Sequence, residues 1–135
     1  MGTHKLPKYN RLTNPKHIKM LFQEGHTFKL HPCSVFYLPK RKELFVCNKV
    51  LFAVSKRNLR SAVQRNSVKR LLREAYRINK YILDDALDTT GARFVFLIGY
   101  VYTGKKEEIH YPILNRAVVK SLQHFSALLN STLAN

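Results

Sequence analysis

Positively charged side chains dominate one stretch of the chain, residues 55–80. Such side chains commonly bind phosphate groups. The stretch contains a single acid, Glu74. Its basic residues are Lys56, Arg57, Arg60, Arg65, Lys69, Arg70, Arg73, Arg77 and Lys80. Guanidinium groups bind phosphate oxygens through paired hydrogen bonds, and every cation near a polyanion releases counterions. The stretch therefore predicts a surface that binds a polyanion.

A buried helix face runs through the same stretch. Its apolar residues recur at steps of three and four, as burial of one side of a helix requires. They are Val68, Leu71, Ala75, Ile78 and Ile82. The run from Ser61 to Gln64 fits a capping box, so the helix is predicted to begin there and to continue to about Lys80.

The opposite face of this helix is cationic, since at about 100° per residue the apolar and charged arcs do not overlap. It carries Arg65, Lys69, Arg73, Tyr76 and Lys80, and is widened by Asn66, Arg70 and Arg77. A face that is only solvated mixes charges of both signs, whereas like charges at these spacings weaken an isolated helix. We therefore expect an anionic partner that offsets the repulsion.

Composition indicates a folded basic protein. The chain has 135 residues, a hydrophobic content of 45% and a net charge of +16. This predicts one domain with a core and a polyanion partner, nucleic acid ahead of an anionic membrane. The sequence shows neither a membrane-spanning stretch nor a signal-peptide pattern, so a cytoplasmic location is expected. Cys33 and Cys47 are interpreted as buried thiols in a reducing compartment, with a disulfide left open.

The remaining elements are predicted from turn signals and apolar runs. A flexible basic N-terminus, residues 1–13, precedes a single domain, residues 14–135. Asn14 and Pro15 begin a short helix that ends before Gly25. Strands are predicted at Ser34–Leu38, Leu44–Val46, Val50–Val54 and Arg93–Ile98, a loop at Gly99–Pro112, and a last helix buries Leu114, Val118, Leu122, Phe125 and Leu129. The order helix, three strands, basic helix, strand, helix is typical of an α+β fold with a small mixed sheet.

Catalytic groups are not evident in the sequence. Asp84, Asp85 and Asp88 form the one tight acidic group, and their position after a predicted helix end favours a loop over a magnesium site. The six histidines are not paired at ligand spacing, and the five glycines form no phosphate-binding loop. No catalytic residue and no metal ligand is predicted.

Neighbouring aromatic residues add a second clue. Phe36 and Tyr37 follow one another on a predicted strand, so their side chains must point to opposite faces. If Phe36 packs inward, Tyr37 points outward, where its ring could stack on an unpaired base.

The run from Arg65 to Tyr76, RNSVKRLLREAY, closely resembles the arginine-rich signature of the bacterial ribonuclease P protein subunit. The spacing Arg-Asn-x-x-Lys-Arg-x-x-Arg carries this resemblance. The similarity extends to Ala53–Arg57, to Arg11-Leu12, and to Phe22 and Gly25 in the first helix, so it covers most of the chain and is weakest after Gly99.

The resemblance implies a non-catalytic protein component of the endoribonuclease ribonuclease P. In that family a large RNA hydrolyses precursor tRNA with Mg²⁺, which the RNA subunit mainly binds, and releases the 5′ leader. The implied partners are the catalytic RNA and precursor tRNA, with no membrane and no required protein partner. The implied fold is ribosomal protein S5 domain 2-like, with a left-handed crossover that general handedness rules would not predict.

The resemblance also assigns residues by position. The leader of precursor tRNA would lie against Phe22, Tyr37 and Lys56. The RNA-binding set carried over by position would be Arg65, Asn66, Lys69, Arg70 and Arg73. Arg57 and Arg60 join this set as residues that would supply the phosphate contact missing at Ser67. Ser67 and Ile18 depart from the family pattern, and the loop from Gly99 to Pro112 has no counterpart that assigns it a role. The alternative is a ribosomal or other structural RNA-binding protein without a substrate cleft.

Overall fold

The computed structural model describes residues 6–134, and side chains as far as residue 131. Short 3₁₀ turns lie at Lys8–Asn10 and Lys106–Glu108. The helices are α1 (Pro15–Glu24), α2 (Ala62–Asn79), α3 (Tyr81–Thr90) and α4 (Tyr111–Ala134), and the strands are β1 (His26–Leu30), β2 (Cys33–Arg41), β3 (Lys49–Val54) and β4 (Phe94–Tyr102). Within this range no helix is long and apolar enough to cross a membrane.

The four strands form one mixed sheet in the order β1-β2-β4-β3. The β1–β2 and β2–β4 pairs are antiparallel, and β3 runs parallel to β4. The connection between these two parallel strands contains α2 and α3. The predicted α+β class with a small mixed sheet is confirmed.

Helices cover both faces of the sheet. The larger core lies between one face and helices α2, α3 and α4, and it includes Tyr76, Tyr100 and Phe125. A smaller cluster lies between the other face and α1, around Leu21 and Leu97. Because side chains alternate along a strand, successive residues of the sheet point toward opposite layers.

The predicted helix starts are confirmed by their caps. The Asn14 side chain accepts a hydrogen bond from the backbone N–H of Lys16 at 2.9 Å, and Pro15 is the first residue of α1. The Ser61 hydroxyl accepts from the N–H of Gln64 at 3.3 Å and caps α2. These groups satisfy N–H donors that a helix end leaves unpaired.

Gly25 follows α1 in an extended conformation, so its role is close approach. A Cβ atom there would lie 2.4 Å from the carbonyl oxygen of Leu21 and 2.9 Å from that of Tyr37. Real Cβ atoms do not come so near to backbone oxygens, and the glycine therefore allows α1 to lie against β2.

Three element predictions were wrong. Leu44–Val46 was predicted to be a strand, but it is a turn in which Leu44 and Val46 are exposed. The sheet has its additional strand at His26–Leu30 (β1), where none was predicted. The acidic group, which was predicted to lie in a loop, lies within helix α3. The predicted loop began at Gly99, but strand β4 continues to Tyr102 because its pairing with β2 extends past Gly99.

The N-terminal segment was also predicted wrongly in part. Leu6 and Leu12 are buried, and the Leu12 N–H donates to the carbonyl of Val50 at 2.9 Å. Asn10 donates from its side chain to the carbonyl of Asn48 at 3.0 Å. Residues 6–12 are thus packed on the domain, whereas Thr13 is exposed. Residues 1–5 of the predicted flexible segment lie outside the described residues.

Candidate RNA interface

The buried face of α2 differs from the predicted one. Its buried residues are Val68, Leu72, Ala75 and Tyr76, while Ile78 is 48% exposed. On a helical wheel this rotates the buried arc by about 60°. The reason is Tyr76, whose ring packs against Phe52 and Tyr100 with both centroid distances at 6.2 Å.

The rotation places Arg70 near the centre of the outward face of α2. A shallow groove along this face is lined by Val63, Asn66, Ser67, Lys69, Arg70 and Arg73. The lining contains three cations and no carboxylate, and none of these cations forms an ion pair within the described part of the chain. The structure thus brings four predicted RNA-binding residues together on one surface, which we call the α2 groove.

Arg73 is held at one side of the α2 groove. Its guanidinium lies over the ring of Phe52, 5.8 Å from the centroid. Burial and the positive charge of Arg11 lower the pKa of Arg73 below its ordinary value, although a guanidinium remains protonated in proteins. A phosphate near both arginines would relieve their mutual repulsion.

Arg65 is not free on this surface. Its Nη1 atom donates to the carbonyl oxygens of Leu59 and Arg60, at 2.7 and 2.8 Å. It therefore fixes the loop that precedes α2. Arg57 and Arg60 are exposed on that loop.

Glu74, the one acid of the basic helix, is neutralised within the protein. Arg77 donates to both of its carboxylate oxygens, at 3.1 and 2.5 Å. These hydrogen bonds hold the pKa of Glu74 below its usual value. Because Arg77 compensates Glu74, the cations of the α2 groove keep their full charge for an external anion.

The residues predicted to hold the leader do not share one cleft. Phe22 on α1 packs edge to face against Phe36, with ring centroids 4.7 Å apart. Tyr37 points to the other face of the sheet, where its ring lies 5.3 Å from that of Phe125. Phe36 packs inward against the α1 layer, as the conditional prediction assumed, but Tyr37 does not point outward, because the larger core beneath α4 covers its face of the sheet.

Small residues continue the sheet face beside Phe22 and Phe36. Across the strands Phe36 pairs with Gly99, and the next row on that face joins Ser34, Val101 and Ala53. A Cβ at Gly99 would lie 3.1 Å from Leu21 and 3.6 Å from the Phe22 ring. Lys56, the third predicted leader residue, is exposed just after β3. We call the apolar surface formed by Phe22, Phe36 and these small residues the α1 face. A base could stack on Phe22 there.

Metal-binding clusters are absent from the residues that the structure describes, where no group of three or more His, Cys, Asp or Glu could hold an ion. Asp84 accepts a hydrogen bond from the Asn48 side chain at 3.1 Å and lies near Lys80. Burial raises the pKa of Asp84, which disfavours the charged form that a metal needs.

Fold and site together define a small basic α+β protein of the polyanion-binding class. The ribonuclease P family model matches residues 6–125 of the chain. The chain belongs to the ribonuclease P protein family.

Proteins similar to this chain include ribonuclease P protein components of bacteria. A ribonuclease P protein component of Porphyromonas gingivalis is 41% identical over 86 residues, which are 64% of this chain and 63% of that protein's length. The chain thus spans less than two thirds of that relative. One from Chlorobaculum tepidum is 29% identical over 138 residues, 98% of this chain and 83% of the relative. The RNase P protein of Staphylococcus aureus shares the fold, with a TM-score of 0.59, 18% identity and 93% of both chains covered.

Proposed function

We propose that this chain is the protein component of ribonuclease P, which binds the catalytic RNA and the 5′ leader of precursor tRNA. The observation that carries the proposal is the α2 groove, with Asn66, Lys69, Arg70 and Arg73 on one carboxylate-free surface. Membership of the ribonuclease P protein family supports the catalytic RNA as the partner. Hydrolysis belongs to the RNA subunit, and the protein acts by binding and neutralising phosphates.

The α2 groove suits a phosphate backbone in geometry as well as charge. Lys69 and Arg73 are separated by about 6 Å along the helix axis, close to the separation of successive phosphates in RNA. Arg70 can bind a phosphate with two donors, whereas the amide of Asn66 offers both a donor and an acceptor. Such an amide can bind a 2′-hydroxyl, which distinguishes RNA from DNA.

The α1 face suits the single-stranded leader. Phe22 is 38% exposed and is supported from below by Phe36, so one ring surface is available for stacking. Base stacking on an aromatic ring tolerates any sequence, as a protein that serves many precursors requires. Lys56 beyond β3 would add a phosphate contact. We propose Phe22, Phe36 and Lys56 as the leader-binding set, in place of a set that contains Tyr37.

Magnesium would be bound mainly by the RNA subunit. When cations of the protein neutralise crowded phosphates, RNA segments approach one another with less divalent metal. We therefore expect the protein to lower the Mg²⁺ concentration at which the RNA cleaves precursor tRNA. A cytoplasmic location fits Cys33 and Cys47, both of which are free thiols in the structure.

Leader release tests this function directly. The protein is incubated with a bacterial ribonuclease P RNA and precursor tRNA at low Mg²⁺, and cleavage is expected only when protein and RNA are both present. The variant K69A/R70A should weaken binding of the RNA by about 10- to 100-fold. A matched control, R116A/K120A, removes the same charge from exposed positions of α4 and should retain binding.

Two results would contradict the proposal. RNA binding without any stimulation of cleavage would indicate a ribosomal or other structural RNA-binding protein. Equal losses for the α2 variant and the α4 control would mean that only net charge matters and that the α2 groove is not the interface.

A further inference from the structure

The loop between β4 and α4, residues 103–110, is held in a fixed position by hydrogen bonds. The Tyr102 hydroxyl donates to the carbonyl of Lys105 at 2.6 Å. The Glu108 carboxylate accepts from the N–H of Lys105 at 2.9 Å and also contacts His31. A loop tied at several points presents its side chains with little loss of conformational entropy when it binds.

This loop is also tied to the loop that precedes the basic helix. The side-chain amide of Asn58 donates to the carbonyl of Thr103 at 3.0 Å, across 45 positions of sequence. Arg65 fixes the same loop from the other side, through the carbonyls of Leu59 and Arg60. The two loops therefore form one surface.

Between the two loops lies a second groove, which we call the loop groove. It is lined by Asn58, Leu59, Arg60, Ser61, Gln64, Lys105, Lys106 and Glu107. Three cations face one carboxylate there, and all four charged residues are exposed. In the described part of the chain none of the four forms an ion pair. The N-terminus of α2 opens into this groove and adds the positive end of an 18-residue helix.

The loop groove and the α2 groove both open beside the first turn of α2. Gln64 lines the loop groove, and its neighbour Val63 lines the α2 groove. The two linings together hold six cations against one carboxylate, that of Glu107. Two cationic grooves at one end of the same helix suit a polymer of phosphates better than a single small anion.

We propose that the loop groove is a second binding site for the phosphate backbone of the catalytic RNA, with Lys105 and Lys106 as its principal contacts. This proposal rests on the proposed function, because it takes the same RNA as the ligand. Under this proposal the loop adds phosphate contacts, and therefore RNA affinity, to those that the basic helix makes.

The test measures affinity for a bacterial ribonuclease P RNA as a function of salt. K105A/K106A should lower the slope of log K against log salt by about 1.4–1.8, which corresponds to two lost phosphate contacts. E107Q should have the opposite effect and tighten binding, a result that a merely structural role of the loop would not produce. The matched control K29A/K120A removes two exposed lysines from other elements and should leave the slope near that of the wild type.

The outcomes separate this proposal from the proposed function. An unchanged slope for K105A/K106A would overturn the loop groove even if the wild type stimulates leader release. Failure of the wild type to stimulate release, with the slope change intact, would overturn the proposed function and leave the groove as an RNA site. A loss confined to a leader oligonucleotide would also overturn the proposal. Circular dichroism and thermal unfolding of each variant check that the fold is retained.

Discussion

The rings of Phe22 and Phe36 meet edge to face, with planes inclined at 67°. Phe36 thus supports Phe22 from the sheet, and the two residues form the aromatic part of the α1 face. Tyr37, one position further along β2, belongs to the layer beneath α4. One step along the strand therefore separates a residue of the α1 face from a residue of the larger core.

This separation predicts different effects for two neighbouring substitutions. Phe36→Ala should lower affinity for leader-bearing precursor, but not for mature tRNA, by about 1–3 kcal/mol because stacking on Phe22 loses its support. Tyr37→Ala should reduce the free energy of unfolding and affect both RNAs alike. Binding of the two RNAs and urea unfolding measure these effects. A selective loss of leader affinity in Tyr37→Ala alone would restore the assignment of Tyr37 to the cleft.

Arg65 should contribute to stability as well as to charge. Arg65→Ala removes two hydrogen bonds to backbone carbonyls and should lower the free energy of unfolding by about 1–3 kcal/mol. Arg70→Ala, on the exposed part of the same helix, is the matched control and should change it by less than about 0.5 kcal/mol. Equal stability of the two variants in urea would show that the Arg65 contacts add nothing.

Asn48 should be among the least replaceable polar residues of the domain. It is buried, its Oδ1 accepts from the N–H of Phe96 at 2.7 Å, and its Nδ2 donates to Asp84. Asn48→Ala leaves a buried N–H without an acceptor and should cost about 1–3 kcal/mol or more. Asn130→Ala, at an exposed position of α4, is the control. Thermal unfolding that is unchanged in Asn48→Ala would refute this role.

Alkaline pH should destabilise the protein through its buried tyrosines. Burial raises the pKa of Tyr102 to about 12, and it raises the pKa of Tyr76 and Tyr100 as well. The folded state therefore keeps phenol protons that the unfolded chain releases near pH 10. The stability that these protons contribute is fully present below pH 10 and is lost as the pH rises toward 12. Each phenol can contribute at most about 1.4 kcal/mol per pH unit.

Urea unfolding between pH 9 and 12, together with phenolate absorbance, measures this loss. Tyr102→Phe should show a shallower decline than the wild type because one of these protons is absent. A stability that is flat over this window would contradict the burial of these phenols in a closed core.

Local signals in the sequence were sufficient to predict much of the fold. Asn14 and Ser61 act as caps through contacts within three residues, and such contacts can be read from spacing alone. Strand β1 could not be found in this way, since its exposed polar residues become a strand only by pairing with β2. In α3, Leu83 and Leu87 form a short buried stripe that the neighbouring aspartates obscured.

The candidate site could likewise be predicted where its residues lie on one element, but not where distant elements meet. Asn66, Lys69, Arg70 and Arg73 were predicted because residues on one helix keep a fixed relation to one another. The side of β2 that faces α1 depends on packing between distant elements, so the sequence could not choose between Phe36 and Tyr37. Likewise, nothing local places residues 103–110 beside the start of α2.

The packed N-terminal segment has a consequence for self-association. Strand β3 lies at an edge of the sheet, where unpaired backbone groups can recruit a strand from another molecule. Arg11 forms a bridge with Val50, and the N–H of Leu12 already occupies the Val50 carbonyl. The chain thereby blocks the start of its own open edge, and edge-to-edge aggregation through β3 is disfavoured.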